Sequence, residues 1–181
     1  MALIYSDHYT ATVSGSTVDI PRVKVPAGVD GASIRYRRCT ITTTTGTAAG
    51  DLLYFFPMKR DDRLIELLIS TPGDGGTTLT LDIGLYATAE EGGALIDQDL
   101  FFDDDLVLTT LRQRVDVMIS SFIDDWDRGL SIWELANTGS ASYANAQEAP
   151  AMFDIVGIIR AESATAGVEI VLEALFTSAG K

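Results

Sequence analysis

Aspartates are the side chains of this sequence whose type and spacing best suit the binding of a metal ion. Two short acidic clusters, Asp103 to Asp105 and Asp124 to Asp127, place hard oxygen ligands close together, as Ca²⁺ requires. The candidate ligands are Asp103, Asp105, Asp125 and Asp127. Neither cluster matches an EF-hand loop, because the glycine and the distal glutamate are misplaced. Solvated acidic loops are the simpler interpretation, so calcium remains a side hypothesis and no metal or cofactor is expected.

Nucleophilic catalysis has little support in the sequence. His8 is the only histidine and Cys39 the only cysteine, and no Gly-x-Ser-x-Gly elbow is present. Zinc binding would lack ligands, and no phosphate-binding or dinucleotide-binding glycine pattern occurs. Paired carboxylates of the glycosidase type are possible by residue type alone, but Trp126 and Trp133 are the only tryptophans available as sugar platforms. We therefore expect a protein that is not an enzyme.

The charge balance restricts the possible partners. The 181 residues include 13 basic and 26 acidic side chains, for a net charge of −13. This acidic balance argues against general affinity for DNA or RNA, because phosphate contacts need extensive clusters of Lys and Arg, and it suits docking on a basic surface. We find no basic and apolar signal segment, and no apolar run long enough to span a bilayer. The expectation is a protein synthesised in the cytoplasm, with no direct contact with nucleic acid or membrane.

The few basic residues are clustered, which makes them candidates for partner contact. Arg35, Arg37 and Arg38 form a basic island, and Arg22 and Lys24 lie between two prolines near the N-terminus. A solvated face is the ordinary interpretation of the island. Because proline restricts a strand to an edge or an arm, residues 1–30 are predicted to be an extended N-terminal arm or an edge strand. Residues 31–181 are then the folded domain.

Period-two alternation of apolar residues predicts that this domain is all-β. The predicted strands lie near residues 30–45, 51–57, 63–70, 77–87, 114–121, 152–160 and 167–177. Their number and spacing predict a β-sandwich, jelly-roll-like, with one or two short helices. The Leu52–Phe56 run is continuously apolar, which predicts a central strand buried on both faces.

The Thr71–Tyr86 segment predicts a glycine-rich turn followed by a half-buried strand. Leu79, Leu81, Ile83 and Leu85 form its apolar face. Thr78, Thr80 and Asp82 form a polar face, open to solvent or a partner. Because it directly follows the Leu64–Ile69 strand, we expect the two strands to pair.

Two short helices are predicted after that strand. Asp97 can cap a helix that carries an apolar stripe, formed by Leu100, Phe101, Val107, Leu108 and Leu111. Farther along, Ser131 and Glu134 have the spacing of a capping box.

The order of several short features resembles tailed-bacteriophage capsid decoration proteins, also called auxiliary head or cement proteins. The features are Gly50-Asp51, the apolar strand Leu52–Pro57, the charged turn Lys59–Asp62, the strand Leu64–Ile69, the Thr80–Tyr86 strand, the acidic Asp97–Phe101 segment and the closing Ala166–Phe176 strand. Together they cover about half of the chain. No catalytic motif is among them.

The resemblance implies a virion structural protein that binds the outer surface of the major capsid protein lattice and stabilises the head. It further implies a homotrimer located on the capsid surface after synthesis in the host cytoplasm. Two alternatives share the expected fold: a carbohydrate- or receptor-binding module of a phage tail or fibre, and a head–tail connector.

Overall fold

The computed structural model describes residues 12–14, 17–19, 33–43, 48–71, 80–107, 114–118, 127–161 and 168–178. The chain forms two compact units, Met1–Ala32 and Ser33–Lys181. In the first unit, strands β1 (Thr12–Ser14) and β2 (Thr17–Asp19) pair antiparallel. Arg22 and Lys24 lie outside the described residues, so the N-terminal arm remains a prediction.

Within its described residues, the second unit contains eight strands and one short α-helix. The strands are β3 (Ser33–Thr42), β4 (Leu52–Lys59), β5 (Arg63–Ser70), β6 (Thr80–Ala87), β7 (Leu95–Val107), β8 (Val115–Asp116), β9 (Met152–Ala161) and β10 (Glu169–Ser178). The helix is α1 (Ile132–Thr138), and a 3-10 turn spans Ala89–Glu91. Two antiparallel four-stranded sheets have the orders β3-β10-β5-β8 and β4-β9-β6-β7. The predicted all-β sandwich is confirmed.

The core is made by the alternating apolar residues of both sheets. Ile170, Leu172, Ala174 and Phe176 of β10 belong to the same buried cluster as Phe153 of β9. Full burial of a Leu, Ile or Phe side chain stabilises the fold by about 1.5–3 kcal/mol relative to leaving that side chain exposed. The period-two pattern of β10 therefore fixes which of its faces turns inward.

The predicted pairing of the Leu64–Ile69 strand with the Thr80–Tyr86 strand is wrong. β5 and β6 lie in different sheets, and β6 pairs with β7 and β9 instead. Alternation identifies the inward face of a strand but not its neighbour, because many partners bury the same face. The predicted glycine turn, together with Thr78 and Leu79, lies outside the described residues.

The described part of the polar face predicted for β6 is not open to solvent as expected. β6 lies inside its sheet, Thr80 is half-buried and Asp82 is fully buried. The Asp82 Oδ2 atom lies 2.9 Å from Nε of Arg160 on β9. Alternation predicts an exposed position for this aspartate, whereas in the structure Asp82 is buried and forms an ion pair with Arg160.

The helix predicted from Asp97 is wrong, because Leu95–Val107 forms strand β7. The register between β6 and β7 shifts at three places. These irregularities break the period-two spacing of the apolar residues, which then imitates a helical stripe. Asp97 does not cap a helix; its buried carboxylate accepts hydrogen bonds from the backbone N–H groups of Ser140 (2.7 Å) and Asp99 (3.3 Å).

Asp97 should make stability depend on pH. Burial alone would raise its pKa, but the hydrogen bonds from Asp99 and Ser140 outweigh it and hold the pKa below the usual value. A lowered folded-state pKa contributes stability above pH of about 4, which is lost as pH falls through the folded-state pKa. We expect Asp97→Asn to lower the free energy of unfolding at pH 7, with the difference from wild type shrinking towards pH 3. Urea titrations across this range measure it.

Asp154 provides a control, because its pKa is shifted in the opposite direction to that of Asp97. Burial and the nearby Glu90 carboxylate raise its pKa, so its charged form weakens the fold at neutral pH. Asp154→Asn should therefore leave stability at pH 7 unchanged or increased, and its difference from wild type should also shrink in acid. A pH-independent loss in Asp97→Asn would contradict the electrostatic role of Asp97.

Strand β4 is not the doubly buried central strand that Leu52–Phe56 predicted. It lies at the edge of its sheet, and Leu52 and Tyr54 are exposed. The register with β9 shifts between Tyr54 and Phe56, so consecutive Phe55 and Phe56 both reach the core. A bulge of this kind explains why a continuous apolar run occurs on an edge strand.

The predicted capping box is present at the start of α1. The Glu134 carboxylate accepts hydrogen bonds from the Ser131 backbone N–H (2.8 Å) and the Ser131 hydroxyl (2.6 Å). Here the local pattern was sufficient, because the interaction spans three residues.

Candidate partner-contact site

Strand β3 carries the predicted basic island on an exposed sheet edge. All ten of its residues pair with β10 without a register shift, and no strand of the described residues pairs with its other side. Its large apolar side chains are open to solvent: Ile34 is 67% exposed and Tyr36 57% exposed. Such residues are costly to leave in water, which marks the strand as a candidate contact site.

The direction of the β3 backbone groups follows from one hydrogen bond. The Thr43 N–H donates to the Val168 carbonyl at 2.9 Å, in line with the β3–β10 register. In an antiparallel pair, hydrogen-bonded and non-hydrogen-bonded residues alternate. The odd-numbered residues of β3 therefore bond to β10. The N–H groups that point to the free edge belong to Ile34, Tyr36, Arg38, Thr40 and Thr42.

A buried carboxylate anchors the outer face of β3. Glu173 of β10 is 4% exposed and accepts a hydrogen bond from the Tyr36 hydroxyl. The Arg114 Nε atom lies 2.6 Å from Glu173 Oε2, and the Arg38 Nε atom lies 3.8 Å from Oε1. The hydrogen bond to Glu173 raises the pKa of Tyr36. One carboxylate thus faces two guanidinium groups, leaving a net positive site on an acidic protein; we call Ile34, Tyr36, Arg38 and Arg114 the β3 surface.

The three arginines of the predicted island do not share one face. Arg38 lies opposite Glu173 on the outer face, whereas Arg35 and Arg37 lie opposite Phe176 and Ala174 on the core side. The Arg37 guanidinium lies 5.2 Å from the centre of the Phe176 ring and donates to the Pro57 carbonyl of β4. Arg37 thus links the edges of the two sheets. Arg35 is exposed.

Sequence reasoning missed Arg114 and Glu173. Glu173 occupies one of the outward positions of an alternating strand, where the sequence pattern does not indicate burial. Arg114 is 59 residues away from it in sequence. The only available signal was the unusual presence of a glutamate within a dense apolar strand, since a buried carboxylate needs a cationic or hydrogen-bonding partner.

The predicted calcium ligands do not form a site among the described residues. Asp103 and Asp105 lie within β7, not in the loop expected from the sequence. Asp127 lies in a turn, and Asp125 is outside the described ranges. Where the structure is described, no group of three or more His, Cys, Asp or Glu side chains could hold a metal ion.

The residues considered for catalysis are also not brought together. Cys39 is half-buried in β3, and burial raises the pKa of its thiol, which disfavours the reactive thiolate. His8 and Trp126 lie outside the described residues, while Trp133 packs against the core. None of the helices in the described ranges is long and apolar enough to cross a bilayer.

A second exposed cluster lies on the outer face of the other sheet. The rings of Tyr54 and Tyr86 meet edge to face at 6.3 Å and 65°. Tyr54 is 53% exposed and Leu95, which pairs with Tyr86, is 50% exposed. Asp154 pairs with Tyr86 on the adjacent strand. This cluster combines aromatic surface with one carboxylate, and the sequence analysis did not identify it.

Comparison with known proteins finds a similar fold but no matching family. No family model matches the chain, and no curated protein matches it. A chain of the cyanophage Pam1 capsid asymmetric unit is similar with a TM-score of 0.50 and 9% identity, over 87% of this chain and 93% of that one. A chain of the capsid of Ralstonia phage GP4 has a TM-score of 0.42 and 16% identity, over 84% of this chain and 89% of that one. The first likeness shows that the two chains share a fold along nearly their whole lengths.

Proposed function

We propose that this protein is a non-enzymatic structural protein of a phage virion that binds the outer surface of the major capsid protein lattice and stabilises the head. The observation that carries the proposal is the shared fold with a chain of the Pam1 capsid asymmetric unit, which extends over 87% of this chain. The Gly50–Phe102 resemblance to decoration proteins points in the same direction. In this proposal the protein is made in the host cytoplasm, acts as a homotrimer and contacts neither nucleic acid nor membrane directly.

The strand order supports this assignment. The orders β3-β10-β5-β8 and β4-β9-β6-β7 support the proposal that the two sheets form an eight-stranded jelly roll, in which two Greek keys interlock. Viral capsid domains commonly use this architecture. Fold alone does not establish function, so the proposed function also depends on the properties of the contact surface.

The β3 surface has the composition of a docking site. Aromatic residues and arginine are enriched at protein interfaces, and Tyr36 and Arg38 are both exposed. A net positive patch on a chain of charge −13 can orient the protein on an acidic part of the lattice. Because a trimer presents three such surfaces, weak individual contacts would combine through a high effective concentration.

Binding to capsids that lack this protein tests the proposal. We expect the wild-type chain to co-sediment saturably with expanded capsids at micromolar concentration or below, and to raise the temperature at which they release DNA. Arg38→Glu should weaken binding about tenfold or more, which corresponds to about 1.4 kcal/mol, because it places an acidic group beside Glu173 and opposite an acidic partner.

Lys59→Glu is the matched control for Arg38→Glu. Lys59 is exposed at the end of β4 and undergoes the same change in charge away from the β3 surface. It should bind nearly as well as wild type. Equal affinities of the two variants would remove the β3 surface from the contact, and an absence of wild-type binding would contradict the proposed function itself.

A carbohydrate-binding module of a tail or fibre is the second candidate. It is favoured by the exposed Tyr54 ring, which meets the half-buried Tyr86 ring beside Asp154, since aromatic faces and carboxylates bind sugars. A glycan array, run with and without a chelator, distinguishes the candidates. Glycan binding that Tyr54→Ala abolishes, combined with no binding to capsids, would favour this alternative.

A further inference from the structure

The edge strands of the two sheets differ in how well they are protected against pairing with another chain. Proteins protect edges by shortening them, by adding prolines and bulges, or by placing charged side chains on them; the arginines of β3 are protection of the last kind, which an acidic strand would not experience as repulsion. β8 has only two residues, β4 contains Pro57 and a register shift, and β7 shifts its register at three places. Among the described edges, β3 alone has ten residues, no proline and no register shift.

The free side of β3 is also equipped to bind a strand. Five of its residues direct their N–H and C=O groups to that side, at every second position from Ile34 to Thr42. Each of those five has an exposed side chain. A regular, exposed and partly apolar edge is a template for an added strand.

We propose that β3 binds its partner by β-strand addition, and that the added strand is an extended, acidic segment of the major capsid protein; this inference rests on the proposed function. An added strand alternates its side chains between two faces. On the outer face they meet Tyr36 and Arg38, and on the opposite face they meet the exposed Arg35. Carboxylates therefore fit both faces.

Arg35 and Arg38 are available for such an interaction. The Glu173 carboxylate is held closely by Arg114, at 2.6 Å, and only distantly by Arg38, at 3.8 Å. Arg35 forms no ion pair within the described ranges. Opposite charges on neighbouring strands contribute about 0.2–1 kcal/mol per pair, so they select the partner, while backbone hydrogen bonds supply most of the binding.

A second copy of this chain fits the β3 edge less well. Two β3 strands paired about a two-fold axis bring together two copies of the segment that contains Arg35, Arg37 and Arg38. Like charges on facing strands are destabilising. The other described edges of a second copy carry the protection given above. The complementary strand is thus assigned to a different protein.

A proline at the free edge provides the test. Thr40 is exposed and its N–H points away from β10, so Thr40→Pro removes a donor that only an added strand would use. Thr40→Val keeps the N–H and the strand preference. We expect both variants to fold, as judged by circular dichroism, with Thr40→Val binding capsids like wild type and Thr40→Pro losing binding at least about 30-fold, or about 2 kcal/mol.

Two further variants check the direction of the β3 backbone groups and the folding of the edge variant. Ile41→Pro removes an N–H that bonds to β10 and should prevent folding, which verifies the direction of the backbone groups. If Thr40→Pro fails to fold, Thr42→Pro tests the same edge nearer the strand end. Binding should also weaken as salt is raised, because charge pairing contributes to it.

The outcomes separate this inference from the proposed function. Folded Thr40→Pro that binds capsids as wild type does would overturn strand addition and leave capsid binding intact. Wild-type protein that fails to bind capsids would overturn the proposed function. Self-association without capsids that Thr40→Pro abolishes would make a second copy the occupant and overturn the assignment to the capsid protein.

Discussion

Replacement of Gly84 by alanine is expected to be among the most destabilising single changes in this protein. A Cβ atom at Gly84 would lie 2.3 Å from the carbonyl oxygens of Asp97 and Gln98 and 2.4 Å from the Gln98 carbonyl carbon. These are backbone atoms of β7, so the two strands would have to separate. We expect a loss of about 3 kcal/mol or more, at the upper end of overpacking costs. Urea denaturation measures the change.

Gly157→Ala is the matched control for Gly84→Ala. Gly157 lies on β9 of the same sheet, and its added Cβ would meet the ends of the Leu81 and Phe55 side chains at 2.9 Å. Side-chain ends can move, so we expect a smaller loss of about 1 kcal/mol. Equal losses in the two variants would contradict the close approach of β7 to Gly84.

Removal of Arg160 is the second change with a large expected effect. Its Nε atom lies 2.9 Å from Oδ2 of Asp82, a fully buried carboxylate in β6. Arg160→Met deletes this cation while the charge of Asp82 stays in the protein interior. Breaking a buried pair in this way costs about 3–5 kcal/mol, and we expect about 3 because the Arg160 side chain is 41% exposed.

The double variant Asp82→Asn/Arg160→Met tests the electrostatic cause. It removes the buried charge along with its partner, so it should recover more than half of the stability lost in Arg160→Met. The loss in Arg160→Met should change little between low and high salt, because buried pairs are weakly screened. A double variant no more stable than Arg160→Met would show that the loss comes from packing.

The sequence predicted the structure best where that structure depends on residues that are close together in the sequence. The alternation in Val168–Phe176 predicted both the strand and its inward face, and Ser131 with Glu134 predicted the start of α1. Which strands pair was not predictable, because the hydrophobic effect is non-directional and β5 could bury its face against many partners. Strand β7 was missed since its bulges disrupt the two-residue period.

The candidate site was predictable only in part for the same reason. Composition identified Arg35, Arg37 and Arg38, and alternation implies that Arg37 and Arg38 lie on opposite faces. The convergence of Arg114 and Glu173 on that strand depends on tertiary structure, because contacts between distant residues leave no local period. Likewise, the absence of proline and register shifts on β3 distinguishes it only once the other described edges of the two four-stranded sheets are known.

The amount of this protein in purified virions tests the central claim most directly. Quantitative mass spectrometry, with the major capsid protein as the internal reference, gives the number of copies per particle. A lattice-binding protein repeats with the capsid symmetry, so we expect hundreds of copies in a fixed ratio to the major capsid protein. Absence from virions, or only about a dozen copies as expected for a ring at a single vertex, would contradict it.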